Sequence, residues 1–209
     1  MVGFLKGFLA KIVLLIGAAS IVALAIFISA HYDNNQAVAQ DTVSADVLLK
    51  KKAEQGDTEA QTTLGTKYLG GQGVPKDDAK AAKWFRKAAE RGNATAQNIL
   101  AFMYRKGRGV SRDYAKSLKW YRKSASQTYA KAQFGLGRMH ALGLGTPKDA
   151  AKAERWYRLA AEQGHLMAMN NLAFMWAENN KNLDEAEKFS RATFEKEPGN
   201  ASWLDTLGW

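Results

Sequence analysis

The chain has 209 residues, with 30 basic against 20 acidic side chains, a net charge of +10 and no cysteine. That length holds one domain or one short repeat array, and the missing cysteine excludes disulfides and thiolate chemistry. The basic excess favours an acidic protein, an anionic polymer or a lipid surface as neighbour, although no single run concentrates it and solubility accounts for part of it.

Lys6 and Lys11 precede an uncharged apolar stretch from Ile12 to Ala30, and no further Lys or Arg occurs before Lys50. As a helix the stretch spans roughly 28 Å, close to the hydrocarbon core of a bilayer. The lysines predict a cytoplasmic N-terminus, with everything beyond Ala30 exported, into the periplasm if the source is Gram-negative. Residues 1–30 are therefore read as a signal anchor or signal peptide, with a transmembrane helix over 12–30. Ala37-Val38-Ala39 before Gln40 offers a small-x-small cleavage site, yet the apolar run exceeds a signal core and the site lies well beyond its end. An uncleaved single-pass anchor is favoured. Cleavage after Ala39, leaving the repeats soluble in the periplasm or secreted, is the alternative. Residues 31–40 are polar and unpatterned, and read as a linker.

Beyond the linker the chain repeats itself at intervals of 36 positions. Leu64-Gly65 returns as Leu100-Ala101, Leu136-Gly137 and Leu172-Ala173, and Trp84-Phe85 returns as Trp120-Tyr121 and Trp156-Tyr157. The pair Gly71/Gly73 returns as Gly107/Gly109 and Gly143/Gly145. A fixed period of this length marks a solenoid of stacked supersecondary units. The segment 41–56 aligns with the second half of a unit and reads as a capping half-repeat, with Lys50 to Lys52 facing water. Three full repeats follow at 57–92, 93–128 and 129–164.

Each unit divides into two helices. The first is predicted over about Thr58 to Gly70, with Ala60, Leu64 and Tyr68 on one stripe and Asp57 or Asn93 as its N-cap. The small residue at 65, 101, 137 and 173 leaves room for a neighbouring helix to approach. A loop with two glycines separated by one residue then reverses the chain. The second helix begins near Asp77, Asp113 and Asp149, whose carboxylates suit a helix N-terminus. Ala81, Trp84 or Phe85, and Ala88 form its apolar stripe, opposite Lys80, Lys83 and Lys87. The aromatic pairs are expected to bridge adjacent units.

Several chemistries are weighed and set aside. The loops GQG, GRG and GLG lack the following GK[ST] and a preceding strand, so they read as turns and not as phosphate cradles. No acidic partner recurs beside the capping aspartates. His31, His140 and His165 fall in the linker, at a tyrosine core position and beside a helix-ending glycine, without metal-ligand or catalytic spacing. No catalytic residue, metal site or cofactor is expected.

The residues of Ala60–Gly92, with Ala96–Thr128 and Ala132–Gly164, resemble the SEL-1-like repeat, a relative of the tetratricopeptide repeat. Thr128 stands where a glycine is expected, so that joint is predicted to end its helix less sharply, and His140 stands where Tyr68 and Tyr104 stand. The fourth unit, 165–199, lacks the double-glycine loop and is more similar to an ordinary tetratricopeptide repeat. Residues 200–209 read as the start of an incomplete further repeat, closed by a short helix or covered by a partner. The resemblance implies an all-α, right-handed α-solenoid of stacked helix-turn-helix repeats behind one N-terminal transmembrane or signal helix.

It also implies a groove lined by the first helices. By phase from the LG pair, the groove positions are Glu59, Thr62, Thr66 and Leu69; Thr95, Asn98, Phe102 and Arg105; Lys131, Phe134, Arg138 and Ala141; and Met167, Asn170, Phe174 and Ala177. The expected function is a non-catalytic, exported and membrane-anchored scaffold that binds a protein or peptide, an acidic one being favoured by the basic excess. The alternatives are a cell-wall-directed hydrolase and a module for polyanions or anionic lipid. Neither nucleic acid nor a small-molecule substrate is expected as partner.

Overall fold

The protein, seen in a computed structural model that describes residues 45–197, consists over that range of helices and turns, with no strand. The predicted transmembrane helix, the linker, the cleavage site and residues 200–209 lie outside the described residues. Among those described, no helix is long and apolar enough to cross a membrane. The chain divides after Leu49 into two units, and the repeats belong to the second.

The helices are α1 (45–54), α2 (Thr58–Gly70), α3 (Asp78–Glu90), α4 (Ala94–Lys106), α5 (Tyr114–Ala125), α6 (Ala130–Leu142), α7 (Ala150–Glu162), α8 (Leu166–Glu178) and α9 (Leu183–Lys196). Their starts follow from local chemistry. Asp57 and Asn93 accept from the backbone N–H of Ala60 and Ala96, at 2.9 and 2.8 Å. Asp77, Asp113 and Asp149 do the same for Lys80, Lys116 and Lys152, satisfying amides that a helix end leaves unpaired. Each hairpin closes on one backbone bond at 2.9 Å: Asp77 to Tyr68, Asp113 to Tyr104, Asp149 to His140.

The apolar interior lies between repeats. One cluster joins Ala81, Phe85 and Ala88 of α3 to Ala96, Leu100 and Met103 of α4. A second joins Leu118 and Tyr121 of α5 to Leu136 and Met139 of α6, and a third joins Tyr157 of α7 to Leu172 and Trp176 of α8. Each cluster contains the second helix of one unit and the first helix of the next, so the core is continuous from unit to unit. Buried glutamines add polar stitches: the Gln61 and Gln97 amides donate to the carbonyls of Ala53 and Ala89, each at 2.9 Å.

One expectation is corrected by this packing. Of each aromatic pair, the second member is the buried one: Phe85, Tyr121 and Tyr157 are 0%, 4% and 3% exposed. The tryptophans are half-buried. Trp120 packs against two clusters, whereas Trp84 lies under the Lys87 ammonium, 4.2 Å from its ring centre. The small residues leave room for a neighbouring helix, as expected: the Phe85 ring of α3 packs onto Gly65 and the Tyr157 ring of α7 onto Gly137. A Cβ at Gly65 would lie 2.9 Å from the Phe85 ring, and one at Gly137 2.5 Å from that of Tyr157.

The joint at Thr128 differs from the others. Thr128 takes a positive φ of 57° at the position where Gly56, Gly92 and Gly164 take 98°, 97° and 80°. The helix before it is one residue shorter than α3 and α7, and Tyr129 caps α6 with no side-chain bond. In the fourth unit the turn runs through Asn180 and Asn182, both at positive φ, in place of the glycine pair.

Candidate functional site

The first helices of successive units bring one face of α2, α4, α6 and α8 into a row. Along this row a hollow of about 390 Å³ is lined by Leu69 of α2, Asn98, Ile99, Phe102 and Arg105 of α4, and Lys131, Phe134, Gly135 and Arg138 of α6. Tyr121 of α5, His165 and Met167 complete it. No aspartate or glutamate is among its lining residues.

Among the described residues, some cations of the array are ion-paired and those of the hollow are not. Arg108 is held by Asp78 at 2.8 Å, Arg158 by Glu154 at 3.1 Å and Arg191 by Glu187 at 2.7 Å. Arg105, Lys131 and Arg138 form no salt bridge among the described residues. Arg105 lies over the Phe102 ring, 5.3 Å from its centre, and Arg138 over Phe134 at 5.8 Å. A guanidinium over a ring still has N–H groups to donate, and Arg105 gives one to the Tyr121 hydroxyl.

Tyr121 supplies the floor. Burial pushes its hydroxyl pKa up, and the neighbouring Arg105 and Arg138 guanidiniums offset part of that rise. His165 stacks on Phe134 with ring centres 4.6 Å apart, and its Nδ1 accepts from the Ala168 amide at 3.3 Å as the N-cap of α8. Burial, and then the charge of Lys131, hold its pKa below the ordinary value, so the ring is neutral near pH 7.

Leu69, Asn98, Phe102, Arg105, Lys131, Phe134, Arg138 and Met167 of the predicted groove thus meet in one hollow. The remaining positions do not line it. Glu59 accepts from the Asn93 amide at 2.8 Å, tying the first two units together. Thr62 is buried and donates to the Thr58 carbonyl at 2.7 Å, and Thr66 donates to Thr62 at 3.0 Å. Thr95 and Asn170 are half-buried, Ala141 packs against the third cluster, and Phe174 is 45% exposed away from the hollow. Ala177 is exposed.

Sequence reasoning missed Ile99, Tyr121, Gly135 and His165. One signal pointed to Gly135: the equivalent residues are Thr63, Ile99 and Asn171, so only the third unit lacks a side chain there. Of the other histidines, His140 is buried at the tyrosine position, and His31 lies outside the described residues.

The Sel1 repeat profile matches residues 58–93, 94–129 and 130–165. A protective antigen of uropathogenic Escherichia coli strains with an SLR fold is 36% identical, with a TM-score of 0.67 over 71% of this chain. This chain spans only 32% of that protein's length. A Sel1 repeat protein from Oxalobacter formigenes is 41% identical, with a TM-score of 0.56, covering 60% of this chain and 95% of its own. A putative Sel1 repeat protein from Klebsiella pneumoniae, 20% identical, shares the fold with a TM-score of 0.55 over 73% of this chain and 74% of its own. No curated protein matches the chain.

Proposed function

The chain belongs to the Sel1 repeat family, and on that premise we propose that it is a non-catalytic, exported scaffold that holds a segment of a partner protein against α4 and α6. Sel1 repeats generally mediate protein–protein interaction, and fold alone does not name the partner. One observation carries the reading: Arg105, Lys131 and Arg138 converge with Phe102 and Phe134 on a single hollow that no carboxylate among the described residues lines. Arginines beside aromatics in a recessed centre are the composition of binding hot spots. The charge of the hollow supports an acidic partner.

The apolar stretch Ile12–Ala30 behind Lys6 and Lys11 supports a membrane anchor with the repeats on the exported side. In that arrangement the scaffold presents its groove to proteins of the periplasm or outer surface.

The reading is tested by placing a photoreactive residue at Phe102 in the full chain, in its native membrane, with Arg155 on the exposed side of α7 as the comparison position. A discrete crosslinked protein is expected from Phe102 and not from Arg155. It should disappear when Arg105 and Arg138 are both changed to glutamate. Identical crosslinks from both positions, or capture indifferent to the charge reversal, would remove the groove from the account.

A further inference from the structure

The hollow has two chemically distinct parts, and we propose that it receives a short protein segment in which one carboxylate side chain stands beside one bulky apolar side chain. This rests on the groove reading above and adds the chemistry of what fills it.

The first part is cationic. Arg105 on α4 and Arg138 on α6 approach Tyr121 from two helices, and neither is ion-paired with a carboxylate among the described residues. The guanidiniums that are ion-paired among the described residues, Arg108, Arg158 and Arg191, have Asp78, Glu154 and Glu187 as partners. A carboxylate accepting from two guanidiniums gains charge-assisted hydrogen bonds, which are shorter and stronger than neutral ones.

The second part is apolar. Phe102 and Met167 stay 36% and 52% exposed at its rim, with Leu69, Ile99 and Phe134 around them. Gly135 lets the Tyr121 ring lie against α6 as the floor, and only the third unit has a glycine at that phase, where the others have Thr63, Ile99 and Asn171. The cavity is therefore local, of a size to hold a few side chains and not a long helix.

Each part excludes a simpler ligand. A phosphate or lipid headgroup would answer the arginines and leave the Phe102 and Met167 surface in water. A wholly apolar segment would cover that surface and bury two guanidiniums without a counter-charge, which is expensive. Only the combination satisfies both.

The test uses the full chain in detergent and a library of random peptides displayed on phage, with selected peptides resynthesised with amidated C-termini. The inference expects Asp or Glu beside Leu, Ile, Met or Phe in the selected sequences. Changing that acid to its amide should weaken binding about ten- to a hundredfold, as should Arg105→Ala or Arg138→Ala, because a charged hydrogen bond is lost. Arg155→Ala should have no effect. Gly135→Ile should abolish binding; where it also unfolds the helices by circular dichroism, Phe102→Ala and the peptide's apolar-to-Ala change report on the apolar part instead. Peptides that need Phe102 and Phe134 but carry no acid, or ignore both arginines, overturn this inference and leave the groove reading standing. Failure to select any peptide that depends on groove residues overturns both. Binding to phosphatidylglycerol vesicles through Arg105 and Arg138, with no peptide able to compete, assigns the site to lipid headgroups and overturns the inference.

Discussion

The Tyr121 ring occupies the space that a side chain on Gly135 would need: a Cβ there would lie 2.5 Å from the ring's Cε1. Tyr121 belongs to the second unit and Gly135 to the third, so the floor of the hollow is made by an inter-repeat contact. In an open helix, Gly→Ala stabilises by about 0.5–1 kcal/mol. Gly135→Ala should reverse that sign and lose about 1–3 kcal/mol, because the core is overpacked. In urea unfolding, the combination with Tyr121→Leu should lose less than the two single changes summed. A gain from Gly135→Ala alone would show that the ring yields freely.

Repair of the irregular joint should strengthen the array. Thr128 holds a left-handed φ that a side chain disfavours by about 1–2 kcal/mol, and Tyr129 leaves the first amides of α6 without a side-chain acceptor. Thr128→Gly with Tyr129→Asn reproduces the Gly92-Asn93 joint. The pair should raise stability by about 1–2 kcal/mol, most of it from the new cap. An unchanged thermal midpoint would mean that the joint is already relaxed.

Two glycines with similar backbone requirements should respond differently to alanine. Gly109 has φ +65° and faces the Asp78 carbonyl so closely that a Cβ could not fit, beside the Arg108–Asp78 ion pair. Gly92 has φ +97° and nothing within 4 Å of its would-be Cβ. Gly92→Ala should cost about 1–2 kcal/mol from the backbone alone. Gly109→Ala should cost more than that, by prying the loop of the second unit from the start of α3. Equal losses in chemical unfolding would show that the loop contact contributes nothing.

Acid should loosen the third unit. His140 is buried, its Nδ1 has no hydrogen-bond partner among the described residues, and it faces Lys152 and Asp149 at the start of α7 and Arg122 of α5. Burial, and then Lys152, hold its pKa below the ordinary 6.5, while Asp149 opposes them. His165 is lowered as well, by burial and Lys131. In both cases the unfolded chain binds the proton more readily. Their stability contribution is thus full above pH 6.5 and is lost as pH falls through the lower folded values. His140→Tyr, the residue at 68 and 104, should flatten the thermal midpoint between pH 7 and pH 5 relative to the parent. A parallel pair of curves would clear His140 of the effect.

Much of this was legible before any coordinates. Asp77, Asp113 and Asp149 were readable as caps because a cap bonds an amide three residues away, and the glycine pair because a left-handed φ is a property of one residue. Phase alone located Phe102, Arg105, Phe134 and Arg138 on one side of α4 and α6. It also placed Thr62 and Thr66 of α2 and Phe174 of α8 in the groove, and these do not line the hollow, because phase ignores where the next helix ends a surface.

By itself, then, the sequence determined the period, the helix ends and the all-helical class, since each depends on spacings within a few residues or on their recurrence. Only the tertiary structure decided that Phe85, Tyr121 and Tyr157 go inside while their tryptophan neighbours stay half out. It also decided that the Tyr121 ring packs onto Gly135 and floors the hollow. Both outcomes are set by contacts between helices, where the available volume depends on every side chain facing the gap and not on the residue that fills it.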